Sequence, residues 1–227
     1  MSGALQAIVF DFDGVIADSE PLHLRAFQQT LAEAQIELSG RDYYSRYLGY
    51  DDVGLLQALA ADRAIPMSDR EITALVARKG ARLQEMMQGD HVLFPGALDF
   101  IRAAAAAVPI AIASGALGPE IRRVLERERL TTCFTCIVGA EDTPASKPAP
   151  DPYLLAVAQL GRTMTGLRAS ECVALEDSPW GLQSAQAAGL RTVAVAQTYD
   201  KSALLADAVI GSIDELDISM LQRLCAD

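Results

Sequence analysis

The sequence predicts an α/β fold: a doubly wound parallel sheet with helices on both faces and a block of helices inserted directly after the first strand. Three observations lead there. Short apolar runs alternate with helical patterns along most of the 227 residues. Most of those runs have apolar residues at adjacent positions, as strands buried on both faces do. One long stretch, from about Ser19 to Gly89, shows helical periodicity and no convincing strand.

The first strand is expected at Ala7–Phe10. In the insertion, Leu24, Phe27, Leu31 and Ala34 fall at helical spacing. So do Val53, Leu56, Leu59 and Ala60, and then Ile72, Leu75, Val76 and Leu83. Ser68 followed by Glu71 makes a capping box ahead of that last helix. The run Ala103–Ala107 reads as helix because alanine is the best helix former. Strands follow at Ile110–Ala113, Cys136–Val138, Cys172–Leu175, Thr192–Val195 and Ala208–Ile210. Helices are expected at Pro119–Glu128, Pro152–Leu160 and Pro179–Ala188, each opened by a proline suited to the first turn. Alternation of this kind implies parallel strands joined by crossover helices.

Composition narrows the function. The chain is 51% hydrophobic but only 6% aromatic, so a sizeable core must rest on Leu, Ile, Val and Ala. The formal net charge is −11, and no dense Lys/Arg run appears. That argues against nucleic acid and against anionic membranes as partners. It leaves room for a small phosphorylated substrate, since one metal ion and one lysine reverse the field locally. Cys133 and Cys136 have CxxC spacing, but no second pair or matching histidines accompany them. Zinc or redox use is therefore not expected. The start of the chain lacks the pattern of a signal peptide, and no apolar run reaches the ~18 residues of a membrane span. A cytoplasmic location is the expectation.

The chemistry gathers at strand ends. The first strand runs into Phe10-Asp11-Phe12-Asp13-Gly14, two carboxylates two residues apart. In an extended chain these face one side, and repelling buried acids are costly without a shared cation or proton. Gly14 permits a sharp turn out of the strand. The fourth strand ends in Leu175-Glu176-Asp177-Ser178-Pro179-Trp180-Gly181. In a parallel sheet the carboxyl ends share one edge, so Asp11, Asp13, Glu176 and Asp177 can converge. Oxygen ligands of this kind suit Mg²⁺. Asp177 also fits an ordinary N-cap before Pro179. After the second strand, Ser114-Gly115 offers a hydroxyl and a backbone N–H to phosphate oxygens. Alone, Ser114 reads as a turn or cap residue. Lys147, in Ser146-Lys147-Pro148-Ala149-Pro150-Asp151, reads alone as a solvated loop charge. Its prolines favour a fixed position from which it neutralises a phosphoryl group.

Together, DFDG with Asp18 following, Ser114 after strand two, Lys147 before Pro148, and LEDSPWG resemble the haloacid dehalogenase superfamily in its phosphatase and phosphomutase branch. The resemblance covers essentially the whole chain. It implies a Rossmann-like core of residues 1–18 and 90–227 and a small helical cap of residues 19–89, closing on the site with hinges near Ala17–Ser19 and Gly89–His91. It implies that Asp11 attacks phosphorus to form an aspartyl-phosphate and that Asp13 serves as acid and then base. Asp13, crowded by other carboxylates, is expected to have a raised pKa. Mg²⁺ is implied on Asp11, the Asp13 carbonyl and Asp177, with Glu176 beside it. Ser114, Gly115 and Lys147 hold the phosphoryl group, and a cis Lys147–Pro148 bond is implied. His23 and Lys79 are candidate substrate contacts. Without the resemblance, His23 reads as a half-exposed helix residue and Lys79 as a surface charge. Trp180 is expected to pack beside the acidic loop.

Two enzymatic readings stand out. One is a Mg²⁺-dependent phosphatase acting on a small metabolite such as a sugar phosphate or phosphoglycolate. The other is a β-phosphoglucomutase-type isomerase, which the segments FDFDGVIADSEPLHLRAF and SKPAPDPY resemble. A mutase grips a distal phosphate with a cap arginine, whereas Leu48-Gly49-Tyr50-Asp51-Asp52 supplies acids. Arg46 lies outside the expected position, and Ala116-Leu117-Gly118 lacks polar side chains. Aspartate there repels phosphate, so the hydrolase is favoured. A metal-free dehalogenase and a non-catalytic binding module are the remaining alternatives. The DxD pair speaks against the first and the intact motifs against the second. The chain is read as a monomer, with a dimer left open.

Overall fold

The computed structural model describes residues 4–48, 50–89 and 92–226. The chain divides into two compact units, Met1–Asp18 with Val92–Asp227, and Ser19–His91.

The first unit is built on a six-stranded sheet: β1 Ala7–Phe10, β2 Ile110–Ala113, β3 Phe134–Val138, β4 Cys172–Glu176, β5 Arg191–Val195 and β6 Ala208–Ile210. Their order is β3-β2-β1-β4-β5-β6, and every pairing is parallel. Chain direction across the sheet reverses between β1 and β4, the place where ligands bind in such sheets. Burial explains the apolar runs. All four residues of β1 and of β2 are buried, as are all five of β4. Side chains alternate between faces. Ala7 and Val9 join Ala111, Ala113, Cys172 and Ala174 in a cluster with Tyr153, Ala156 and Leu160. Phe10 points the other way, with its ring centroid 6.0 Å from Phe100 and 5.9 Å from Phe134. Both faces are therefore covered. Small alanines let helices approach closely on one side, while phenylalanines fill the other.

In the second unit, α1 (Glu20–Ala32) is followed by a short α2 (Gly40–Asp42) that runs into a π-helical turn at Tyr43–Tyr47. Next come α3 (Asp52–Asp62) and α4 (Asp69–Gly89). The expected capping box forms. Ser68 N donates to Glu71 Oε2 at 2.7 Å, and Glu71 N donates to Ser68 Oγ at 3.3 Å. The apolar faces differ from the periodic reading at two places. Ala34 lies beyond the end of α1 and is exposed, and Val53 is 41% exposed. The core of this unit is Phe27, Leu31, Leu38, Tyr43, Tyr47, Leu55, Leu56, Leu59, Ile72 and Leu75. The tyrosines enter it because each hydroxyl finds a carboxylate, Glu20 for Tyr43 and Asp62 for Tyr47.

The first unit's remaining helices are α5 (Ala97–Ala107), α6 (Gly118–Arg127), α7 (Asp151–Leu160), α8 (Pro179–Ala187) and α9 (Ile218–Ala226). Near the first expected hinge, Ala17 pairs with Leu93 and Asp18 N donates to Val92 O at 2.6 Å. Of the second, Gly89–His91, residues Asp90 and His91 lie outside the described residues. Among the described residues, no helix is long and apolar enough to cross a membrane.

Candidate active site

The carboxyl ends of β1 and β4 lie side by side, with Phe10 opposite Leu175 in register. The next residue of each chain brings the acids together. Asp11, Glu176 and Asp177 each offer an oxygen within 4.8 Å of the others, and all three are buried. Asp11 is held by its backbone, its N–H donating to Leu175 O at 2.9 Å.

Asp13 is not among the three acids whose oxygens lie within 4.8 Å of one another. The chain stops being extended after β1. It bends at Phe12, and Asp13 forms an isolated bridge to Ala17. The alternation of an extended strand therefore no longer applies. Asp13 is half-buried. Gly14 makes the turn at φ +78°, where a Cβ would strike the Asp177 carboxylate and stand 2.8 Å from Thr198 Oγ1. Glycine is required there both by conformation and by space.

Lys147 is drawn into the cluster. Its Nζ lies 2.8 Å from Asp11 Oδ1 and 2.5 Å from Glu176 Oε1, and 5.1 Å from the centre of the Tyr153 ring. Its loop is fixed from below, since Ser184 on α8 donates to Ala149 O at 2.6 Å. The Lys147–Pro148 bond is cis. Lys147 is therefore not a solvated loop charge. Burial disfavours its charged form, but Asp11 and Glu176 outweigh that and raise its pKa.

Glu176 is wholly buried and almost fully subscribed. Oε1 accepts from Lys147 and, at 2.6 Å, from Tyr153. Oε2 accepts from Asp177 N at 3.2 Å. Burial pushes the Glu176 carboxyl above the ordinary range, with Lys147 pulling the other way. Asp177 is raised well above its ordinary value, first by burial and then by the charges of Asp11 and Glu176. Ser178, not Asp177, caps α8, its Oγ accepting from Gly181 N at 3.1 Å. Asp177 is thus spared for the cluster. At Gly181 a Cβ would collide with the Glu176 carboxylate, which explains the glycine in LEDSPWG. Trp180 is 54% exposed rather than packed beside the loop.

Ser114 is buried at the end of β2, with its N–H donating to Val138 O at 3.0 Å. Its Oγ accepts from Ala116 N at 3.1 Å, which leaves the hydroxyl proton to donate. Gly118 N does not face an open anion site. It donates to both oxygens of Glu141, at 3.1 and 3.0 Å, so a carboxylate of the chain's own occupies the start of α6.

In the helical unit, Lys79 is 1% exposed rather than a surface charge. Asp52 neutralises it at 2.7 Å, His23 Nδ1 lies 3.0 Å away, and the Phe27 ring lies 4.7 Å from its Nζ. His23 is half-buried. Burial, and then Lys79, hold its pKa down to about 3, so the ring is neutral and accepts from the ammonium. In the loop expected to take a distal phosphate, Gly49 lies outside the described residues, and Asp51 caps α3 by accepting from Gly54 N at 2.6 Å. Arg46 is paired with Asp62 at 2.6 Å.

Reading the sequence missed Tyr153, Ser184 and Thr198, the last of which lies beside the Asp177 carboxylate at the Gly14 turn. Tyr153 carried a signal, as a polar-tipped aromatic on the face of α7 that must be buried. The other two carried none.

A family model for haloacid dehalogenase-like hydrolases matches residues 5–189. Protein CbbY of Rhodobacter capsulatus is 32% identical over 209 residues, covering 87% of this chain and 88% of that protein. Hexitol phosphatase B of Escherichia coli K12 is 30% identical over 218 residues, covering 92% and 93%. CbbY from Rhodobacter sphaeroides, solved in complex with phosphate, superposes with a TM-score of 0.80 at 26% identity, covering 96% of this chain and 99% of that one. Fold and site thus define a hydrolase built on a Rossmann-like sheet, and the chain belongs to the haloacid dehalogenase-like hydrolases.

Proposed function

We propose that the chain is a Mg²⁺-dependent phosphatase of a small phosphorylated metabolite, of sugar-phosphate or phosphoglycolate type, acting through an aspartyl-phosphate on Asp11. The observation that carries this is the buried cluster of Asp11, Glu176 and Asp177 with a single lysine, Lys147, bridging Asp11 and Glu176. Three acids and one ammonium leave negative charge in a site that already pushes Asp177 toward protonation. Such a donor set fits a hard divalent cation. Asp11, Asp177 and the Asp13 carbonyl would hold it, with Glu176 orienting Lys147. When bound, it supplies charge neutralisation for an anionic phosphoryl group.

The chain's own residues supply the rest. Asp11 attacks phosphorus, and the P–O bond to the leaving alcohol breaks. Asp13 protonates the departing oxygen and then removes a proton from water, which attacks the same phosphorus and frees inorganic phosphate and Asp11. Two easier steps replace one difficult step. Lys147 and the Ser114 hydroxyl hold the transferring oxygens, and Gly115 adds its backbone N–H.

Two features favour hydrolysis over isomerisation. Glu141 occupies the start of α6, and Asp51 and Asp52 are committed to a helix cap and to Lys79. Neither stretch offers the basic side chains with which a mutase holds its second phosphate. Substrate selection is assigned to the helical unit, His23 and Lys79 included, with hinges at Ala17–Ser19 and Gly89–His91. The names of hexitol phosphatase B and of the phosphoglycolate phosphatase of Pectobacterium atrosepticum support this substrate class. A monomer in the cytoplasm completes the reading.

The test is phosphate release from an aryl phosphate and a panel of sugar phosphates with Mg²⁺. Asp11→Asn is expected to lower kcat by at least about 10³-fold. Undiminished turnover in that variant would remove Asp11 as nucleophile. Rapid conversion of β-glucose 1-phosphate to glucose 6-phosphate would replace the hydrolase by the mutase.

A further inference from the structure

The segment that leaves β5, Ala196-Gln197-Thr198, has no part in the chemistry above, yet it is tied to both halves of the acidic site. Its backbone is held first. Ala196 N donates to Ile210 O at 3.0 Å, and Gln197 N turns back to Val195 O at 2.9 Å. Two side chains then leave from fixed points. The Gln197 amide is used at both ends: Nε2 donates to Gly14 O at 3.0 Å and Oε1 accepts from Ile213 N at 3.1 Å. Opposite partners at the two ends fix the orientation of the amide. The Thr198 hydroxyl sits beside the Asp177 carboxylate, both closing on the space that Gly14 leaves without a side chain: a Cβ there would stand 2.8 Å from Thr198 Oγ1 and overlap Asp177 Oδ2.

Asp177 needs such a partner. Its nearest charged neighbours include Asp11 and Glu176, which repel it, while Lys147 is bonded to those two acids instead. A carboxylate repelled from two sides turns away unless a donor holds it. Gly14 follows Asp13 directly, so an anchor on its carbonyl fixes the turn that begins beside the acid–base group.

We infer that Thr198 and Gln197 are positioning residues: Thr198 sets the Asp177 carboxylate for the metal, and Gln197 holds the turn that presents Asp13. The inference rests on the metal site proposed above. Partners one shell out from a metal ligand commonly govern affinity by 10–100-fold.

The test separates the two ideas by measuring Mg²⁺ binding calorimetrically, without substrate, alongside kinetics on an aryl phosphate. Thr198→Val is expected to weaken Mg²⁺ binding about tenfold, and Thr198→Ser to restore it to within about threefold of the parent. Thr198→Ala repeats the measurement should the valine variant fold poorly. Gln197→Met is expected to bind Mg²⁺ like the parent while kcat falls about tenfold at unchanged KM, because only the acid–base group is displaced. Parental Mg²⁺ affinity in Thr198→Val and Thr198→Ala, a serine variant as weak as the valine one, or an unchanged kcat in Gln197→Met would overturn the inference and leave the metal site standing. A parent protein that binds no Mg²⁺ would overturn both.

Discussion

Gly181→Ala tests the packing of the site more sharply than any deletion. The added methyl would overlap the Glu176 carboxylate. A long side chain usually swings aside cheaply, but this one is wholly buried, with Oε1 bonded to Lys147 at 2.5 Å and to Tyr153 at 2.6 Å. Overpacking a core costs about 1–3 kcal/mol. Losing one charge-assisted bond adds about 1.5–3 kcal/mol. Alanine in place of glycine within a helix returns about 1 kcal/mol. The net loss is about 1.5–5 kcal/mol, or roughly 3–20 °C in Tm for a chain of this size. Scanning calorimetry in EDTA measures it. The decisive comparison is a double-mutant cycle with Glu176→Ala. Once the carboxylate is gone, Gly181→Ala should become neutral or stabilising by up to about 1 kcal/mol, a coupling of at least ~1.5 kcal/mol. Equal costs in both backgrounds would refute the claim that Gly181 exists to make room for Glu176.

Two further outcomes follow from the geometry. His23 has a folded pKa of about 3 against the ordinary 6.5, so below pH 6.5 the unfolded chain takes up a proton that the folded one refuses. Stability is therefore complete above that value and falls with pH down to about 3, by at most about 1.4 kcal/mol per pH unit. Urea midpoints at pH 7 and 5 should drop less in His23→Gln than in the parent, and parallel drops would exclude His23 as the source. Saturating Mg²⁺, at a hundred times its dissociation constant, should stabilise the chelator-treated protein by about 2.7 kcal/mol and leave Asp177→Asn unmoved. An equal rise in both would place the ion elsewhere.

Much of this was legible in the residues themselves. A strand buried on both faces has nowhere to put a polar side chain, so Ala7–Phe10 and Ile110–Ala113 declare themselves, bounds included. Asp11, Glu176 and Asp177 stand out for the same reason, as charges at the ends of apolar runs. Ser68 and Glu71 name a helix start because their hydrogen bonds are local. Only the tertiary structure decided that the chain bends at Phe12, between the two aspartates, so that strand alternation does not carry through to Asp13. It alone buried Lys79, whose charge is tolerable only beside Asp52, 27 residues away in the chain. It alone enlisted Tyr153, Ser184 and Gln197, each bonded to an atom many residues distant, and set Thr198 beside Asp177. Burial and local capping are written in neighbouring residues. The partner of a buried polar group is set by which strand ends the sheet order brings together, and that information is spread over the whole chain.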